Sequence, residues 1–162
     1  MGVLDAPTYS RRQADALSPG MVGFAEQRNT SSVAGSPSAG VNLPGLCLVV
    51  PPTDTPVELF WGATPIIAVA GGGYVALNLY EVGVNGALTL RGTSNIRLEP
   101  GTPTTTAGER ITGGPTKLVP STIPRLMALN LGLSRDAGSS LAASIVNSDT
   151  DYWRPFLEMV QR

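Results

Sequence analysis

Histidine is missing from all 162 residues, and cysteine occurs once, as Cys47. Without histidine the chain lacks the commonest general base, the commonest metal ligand and every Ser/His/Asp or Cys/His nucleophile arrangement. Zinc and cupin-type metal sites are excluded with it. One cysteine cannot form an intramolecular disulfide framework, and a reducing cytoplasm suits the synthesis of such a chain. Cys47 lies inside Leu46-Cys47-Leu48-Val49-Val50 and reads as a small buried hydrophobe rather than a reactive thiol.

Charge is also scarce. Only 14% of residues are charged, where a typical soluble domain carries about 25%. Much of the surface must therefore be Ser, Thr, Gly, Asn and Pro. Such a surface offers little repulsion between copies and suits a subunit covered by its neighbours. Eleven basic and twelve acidic residues give a net charge of −1, and no basic cluster exceeds the pair Arg11 and Arg12. No nucleic-acid partner is expected, because phosphate neutralisation would need more basic surface than this. The apolar runs, such as Pro65 to Ala70, fall far short of the roughly 20 residues a membrane helix requires. No signal peptide is expected, since the opening residues show no charged stretch followed by an apolar one. No membrane role is expected.

What is present divides at residue 45. Residues 1–44 carry scattered apolar side chains without a sustained period, and Asn29 to Pro44 is mostly Ser, Ala, Gly, Asn and Pro. This segment reads as an extended arm or linker for attachment, with a helical turn expected over Ser10 to Leu17. Within it Tyr9, Arg11, Arg12 and Phe24 are the candidate partner contacts, since aromatic and arginine anchors concentrate binding energy. From Gly45 onward, short apolar or alternating runs are separated by Pro, Gly, Asn and Asp, the texture of an all-β domain.

Strands are predicted over Leu46 to Val50, Val57 to Trp61, Pro65 to Ala70 and Tyr74 to Glu81. In the last of these Val75, Leu77 and Leu79 share one face. Asn85-Gly86 carries the signature of a type I′ turn, with Ala87 to Arg91 as the returning strand. Further strands are predicted at Asn95 to Leu98, Ile123 to Leu133, Leu141 to Val146 and Tyr152 to Val160. A short helix is the rival reading at Arg125 to Leu131. Pro100 to Pro115 reads as a long polar loop. About eight strands make residues 45–162 a mainly β domain, an antiparallel β-sandwich of jelly-roll-like form.

Candidate chemistry is thin. Asp149 and Asp151 form a carboxylate pair but lack the remaining oxygen ligands and glycine bend of a calcium loop. Gly71-Gly72-Gly73 precedes a strand rather than a helix, so it joins strands and does not cradle phosphate. Asn29-Thr30-Ser31 matches a glycosylation sequon in a Ser/Thr-rich arm. Trp61, Tyr80 and Trp153 are candidates for an aromatic contact surface, with Tyr152 beside them, although aromatics in sandwich strands more often serve the core or subunit contacts. No catalytic residue, metal or cofactor is expected.

The opening Val3-Leu4-Asp5-Ala6-Pro7-Thr8-Tyr9-Ser10-Arg11-Arg12-Gln13 resembles the starts of virion structural proteins from tailed bacteriophages of actinobacteria, of the minor tail, tail-fibre or head-decoration type. Pro51-Pro52-Thr53-Asp54-Thr55-Pro56-Val57-Glu58-Leu59-Phe60-Trp61 resembles theirs as well. The resemblance covers the arm and the first part of the sandwich. It implies an arm followed by a trimeric jelly roll, a virion location after synthesis in the host cytoplasm, and major capsid or tail proteins as partners. The chain departs from that pattern by ending at Gln161-Arg162 without an adhesive tail, which favours a decoration or connector role over host recognition. A carbohydrate-binding module for host-surface glycan is the alternative, and a hydrolase with an unusual carboxylate site ranks third.

Overall fold

A computed structural model describes residues 21–26, 33–34, 41–69, 72–100, 110–145 and 155–161, with side chains described from residue 46 onward, except at 67–69. Every regular element among them is a strand. One four-stranded sheet contains β1 (Met21–Glu26), β11 (Phe156–Gln161), β4 (Val57–Ala63) and β8 (Ile111–Leu118), in that order. A second contains β3 (Val41–Val50), β9 (Arg125–Arg135), β6 (Gly73–Val82) and β7 (Leu88–Leu98). A small third sheet joins β2 (Val33–Ala34), β10 (Ala142–Ile145) and β5 (Pro65–Val69). All pairings are antiparallel. The chain changes sheet between β3 and β4, between β7 and β8, and between β8 and β9, as a jelly roll requires.

Strand alternation builds the core. In β6 Val75, Leu77 and Leu79 point inward, opposite Leu133, Leu131 and Leu129 of β9. From the other sheet come Val57, Leu59, Trp61, Leu157 and Met159, all buried in the same cluster. The rival helix at Arg125 to Leu131 does not form, because the period-2 spacing of the large apolar residues Met127, Leu129, Leu131 and Leu133 puts all four on the core side of one strand.

Several expectations are corrected. Three stretches of the expected arm are strands: β1 pairs with β11, β2 with β10, and β3 begins at Val41 rather than Leu46. β1 and β2 are too short to show a period, and Pro44-Gly45 interrupts that of β3. The turn expected over Ser10 to Leu17, the sequon at Asn29 and the pair Asp149 and Asp151 lie outside the described residues. Ala87 to Arg91 and Asn95 to Leu98 are one strand, β7, with a register shift where Leu79 faces Gly92 and Tyr80 faces Leu90. The extra residue, Arg91, forms a bulge that disguises the continuity.

The β6–β7 hairpin exists, but its turn is not type I′. That type needs positive φ at both central residues, whereas only Gly86 has it, at 78°. Gly86 N–H donates to the Gly83 carbonyl at 2.8 Å, and Gly83 N–H to that of Ala87 at 2.8 Å. This is a three-residue loop with a glycine bulge, and the Asn85 carboxamide oxygen accepts from Ala87 N–H at 3.1 Å. The loop expected over Pro100 to Pro115 ends earlier, because β8 starts at Ile111. Gly113, Gly114 and Pro115 hid that strand. Pro115 is tolerated because β8 is an edge strand of its sheet.

Every residue of the described core lies between Leu46 and Met159. A fragment of residues 45–162 is therefore expected to fold and melt cooperatively. It should melt at a lower temperature than residues 21–162, because β11 loses its partner β1. Circular dichroism melts of both fragments check this, and a non-cooperative 45–162 fragment would show that the edge strands are integral to folding.

Candidate assembly surface

Trp61 and Tyr80, two of the candidate aromatic contacts, are not brought together. Trp61 is 2% exposed. Its indole fills the interior where β8 and β7 approach. A Cβ on Gly92 would sit 2.5 Å from the Trp61 ring carbon Cη2. One on Gly113 would clash with the ring as well. Two glycines on strands of different sheets thus form the slot that accepts the ring. Among the described residues no group accepts from its Nε1–H. Tyr80 is half-buried on the outer face of the other sheet, so it shares no surface with Trp61. Trp153 lies outside the described residues, as do Tyr9, Arg11 and Arg12, while Phe24 is placed by the backbone in β1, opposite Glu158.

The outer face of the β3-β9-β6-β7 sheet carries what sequence reading missed. Backbone register places Val49, Leu126, Val82 and Leu88 in one row across all four strands. The next row on that face is Cys47, Ala128, Tyr80 and Leu90. Val49 is 58% exposed, Leu90 52%, Leu88 46% and Leu126 38%, an apolar patch open to solvent around the buried Ala128. Cys47 is exposed on it, contrary to the expected burial, because strand alternation turns it away from Leu46 and the core. A neutral polar row follows, containing Asn130, Asn78 and Thr93, in which the Thr93 hydroxyl donates to the Asn78 side-chain oxygen at 2.8 Å.

Charge appears only at the far end of this face. There Ser134, Tyr74 and Arg97 share a row, and the Arg97 guanidinium lies 4.9 Å from the Tyr74 ring centre. Arg97 donates to both oxygens of Asp136, at 2.8 and 2.7 Å, and to Glu99 at 3.1 Å. The hydrogen bonds from Arg97 hold the Asp136 carboxyl below the usual carboxylate range, and desolvation opposes them only in part.

Two recesses lie elsewhere. One of about 720 Å³ is lined by Pro51, Pro52, Thr53, Pro120, Ser121 and Gln161 among others, at the end of the sandwich. The other, of about 290 Å³, lies beside Phe60, Gly113, Phe156 and the edge of Trp61. Among the described residues, no three of His, Cys, Asp and Glu gather as a metal-holding group, and no helix is long and apolar enough to cross a membrane.

One solved structure shares this fold, and others match less well. The Eiger TNF of S. frugiperda matches with a TM-score of 0.58 at 11% identity, over 89% of this chain and 94% of that one. The likeness is one of fold. A structure of the Gt strain of infectious bursal disease virus matches at a TM-score of 0.48 and 15% identity, over 90% of this chain but 38% of that one. The VP2 subviral particle of the same virus gives 0.43 and 16%, over 86% of this chain and 37% of that one. No family model and no curated protein matches the sequence.

Trp61→Ala is expected to destabilise the fold by about 3–5 kcal/mol, the range for emptying a large aromatic site. Trp61→Phe should cost less, since the indole N–H makes no hydrogen bond that would be lost. Urea melts distinguish the two. Asp136→Asn should lower the melting temperature at neutral pH. A carboxyl depressed in the folded state contributes stability above its unfolded value of about 3.9, and loses it as pH falls through the folded value. The difference from wild type should therefore close in acid, as read by melts between pH 7 and 2.

Proposed function

We propose that this chain is a non-enzymatic virion structural protein of a tailed bacteriophage, a head-decoration or minor tail component that attaches through its N-terminal segment and oligomerises through its jelly roll. The observation that carries the reading is the broad uncharged face on the β3-β9-β6-β7 sheet, with Leu88, Leu90, Val49 and Leu126 open to solvent. A chain that stays alone gains nothing from such a face, whereas a subunit buries it. The resemblance of Val3 to Gln13 and of Pro51 to Trp61 to phage virion proteins supplies the setting. The absence of histidine from the whole sequence supports a structural role over catalysis.

In this reading residues 1–44 lead to the attachment site and 45–162 form the assembling body, with β1 and β2 tying one to the other. Attachment is assigned to the residues before Met21, where Leu4, Tyr9, Arg11 and Arg12 supply anchors for a groove or sheet edge on a major capsid or tail protein. The assembled state is a homotrimer, made in the host cytoplasm and incorporated into the virion. A glycan-binding role finds less support, since among the described residues Trp61 is enclosed and Tyr80 lies on the other sheet.

Deleting residues 2–20 leaves all described strands in place. The truncated protein is expected to keep the melting temperature and mass of the full chain while failing to load onto parent particles in a co-sedimentation assay at equal concentration. Equal loading of both forms would overturn the attachment role and place particle contact on the sandwich.

A further inference from the structure

We infer that the neutral outer face of the β3-β9-β6-β7 sheet is where copies of this chain meet, so that Cys47, Leu90, Leu126 and Val49 are covered by a second copy. The inference rests on the oligomeric reading above and names its surface. Three observations select a second copy as the occupant.

The first is charge. The rows Val49-Leu126-Val82-Leu88 and Cys47-Ala128-Tyr80-Leu90, with the adjoining Asn130-Asn78-Thr93, contain no ionisable group that is charged at neutral pH. A foreign partner is usually selected by opposite charge. Copies gathered around a threefold axis turn the same face toward one another, and a neutral face brings no like charges together there.

The second is the way charge is distributed along the same sheet. Arg97, Asp136 and Glu99 are gathered at the opposite end and neutralise one another there. The solvated end and the buried end of the interface are thereby separated.

The third is size. Three neutral rows, each taking about 6.6 Å of strand length across four strands about 4.8 Å apart, give a flat footprint of roughly 400 Å². With the exposed Val84 of the adjoining hairpin beside it, this is within about twofold of the ~800 Å² per partner of a stable interface.

The test uses full-length protein. Leu90→Lys and Leu126→Lys each place an ammonium group on the face at an exposed position, and burying an unpaired charge opposes association. Thr112→Lys, on the exposed side of β8 in the other sheet, is the control. Light scattering gives the mass, circular dichroism confirms folding, and the rate of Cys47 labelling by a maleimide reports cover. The expected result is an oligomeric wild type and an oligomeric Thr112→Lys, with both leucine variants shifted to folded monomer. Cys47 should label about tenfold more slowly in the wild type than in Leu126→Lys, since thiol reaction depends on access.

An oligomeric wild type whose leucine variants keep their mass and label at the same rate overturns this surface while leaving the oligomer standing. A wild type that is monomeric across concentrations overturns both. Slow labelling in a monomeric wild type would assign the face to the chain's own N-terminal residues, and would overturn the inference as well.

Discussion

The ladder between β6 and β9 is the constraint on which the rest depends. Its ten residue pairs run from Gly73 opposite Arg135 to Val82 opposite Leu126 without a register shift. Side chains alternate along a strand, so this register does two things at once. It stacks Val75, Leu77 and Leu79 on Leu133, Leu131 and Leu129 inside the sandwich, and it aligns Val82 with Leu126 and Tyr80 with Ala128 outside. A slip by one residue would exchange the two faces and expose the core. The outer rows are therefore held in place by the same packing energy that holds the core, and β3 and β7 extend them to the full width of the sheet.

Much of this was legible in residues that alternate on their own. Val75 to Leu79 announce a strand because it buries one face only, and Met127 to Leu133 do so by the alternation of large apolar residues with smaller or polar ones. What stayed hidden has specific causes. β8 carries Gly113, Gly114 and Pro115, residues that ordinarily mark turns, yet an edge strand tolerates them, and Gly113 is required to make room for Trp61. β7 looked like two strands because the bulge at Arg91 changes the phase of alternation. β1 is a six-residue edge strand whose ladder partner lies 130 positions downstream in the chain, by the pairing of Glu26 with Phe156.

The assembly surface could not be read from the sequence at all. Val49, Leu126, Val82 and Leu88 are neighbours only because four strands, distant and out of order in the chain, share one register. Each is unremarkable alone, since single exposed apolar residues are ordinary. Trp61 shows the opposite error. An aromatic near a proline-rich turn invites a binding role, but its environment is set by Gly92 and Gly113, and nothing near it in the sequence reports either contact.

The edges of the sheets explain why association is expected through a face. β7 is the longest edge, with 11 residues, and an open edge of that length would add strands from other chains. Three features oppose this. Arg91 interrupts the ladder with a bulge and is held by Glu81 at 2.7 Å. Arg97 places a cation further along the strand, and β8 of the other sheet runs alongside. β8 in turn carries Pro115, which cannot donate to an added strand, at a position next to Gly114. Strand addition is thus opposed at these two edges, where the sheets lie alongside each other, and the apolar surface beside them is a face of finite width. Association through a bounded face closes once that face is covered, which is the behaviour an assembling subunit needs.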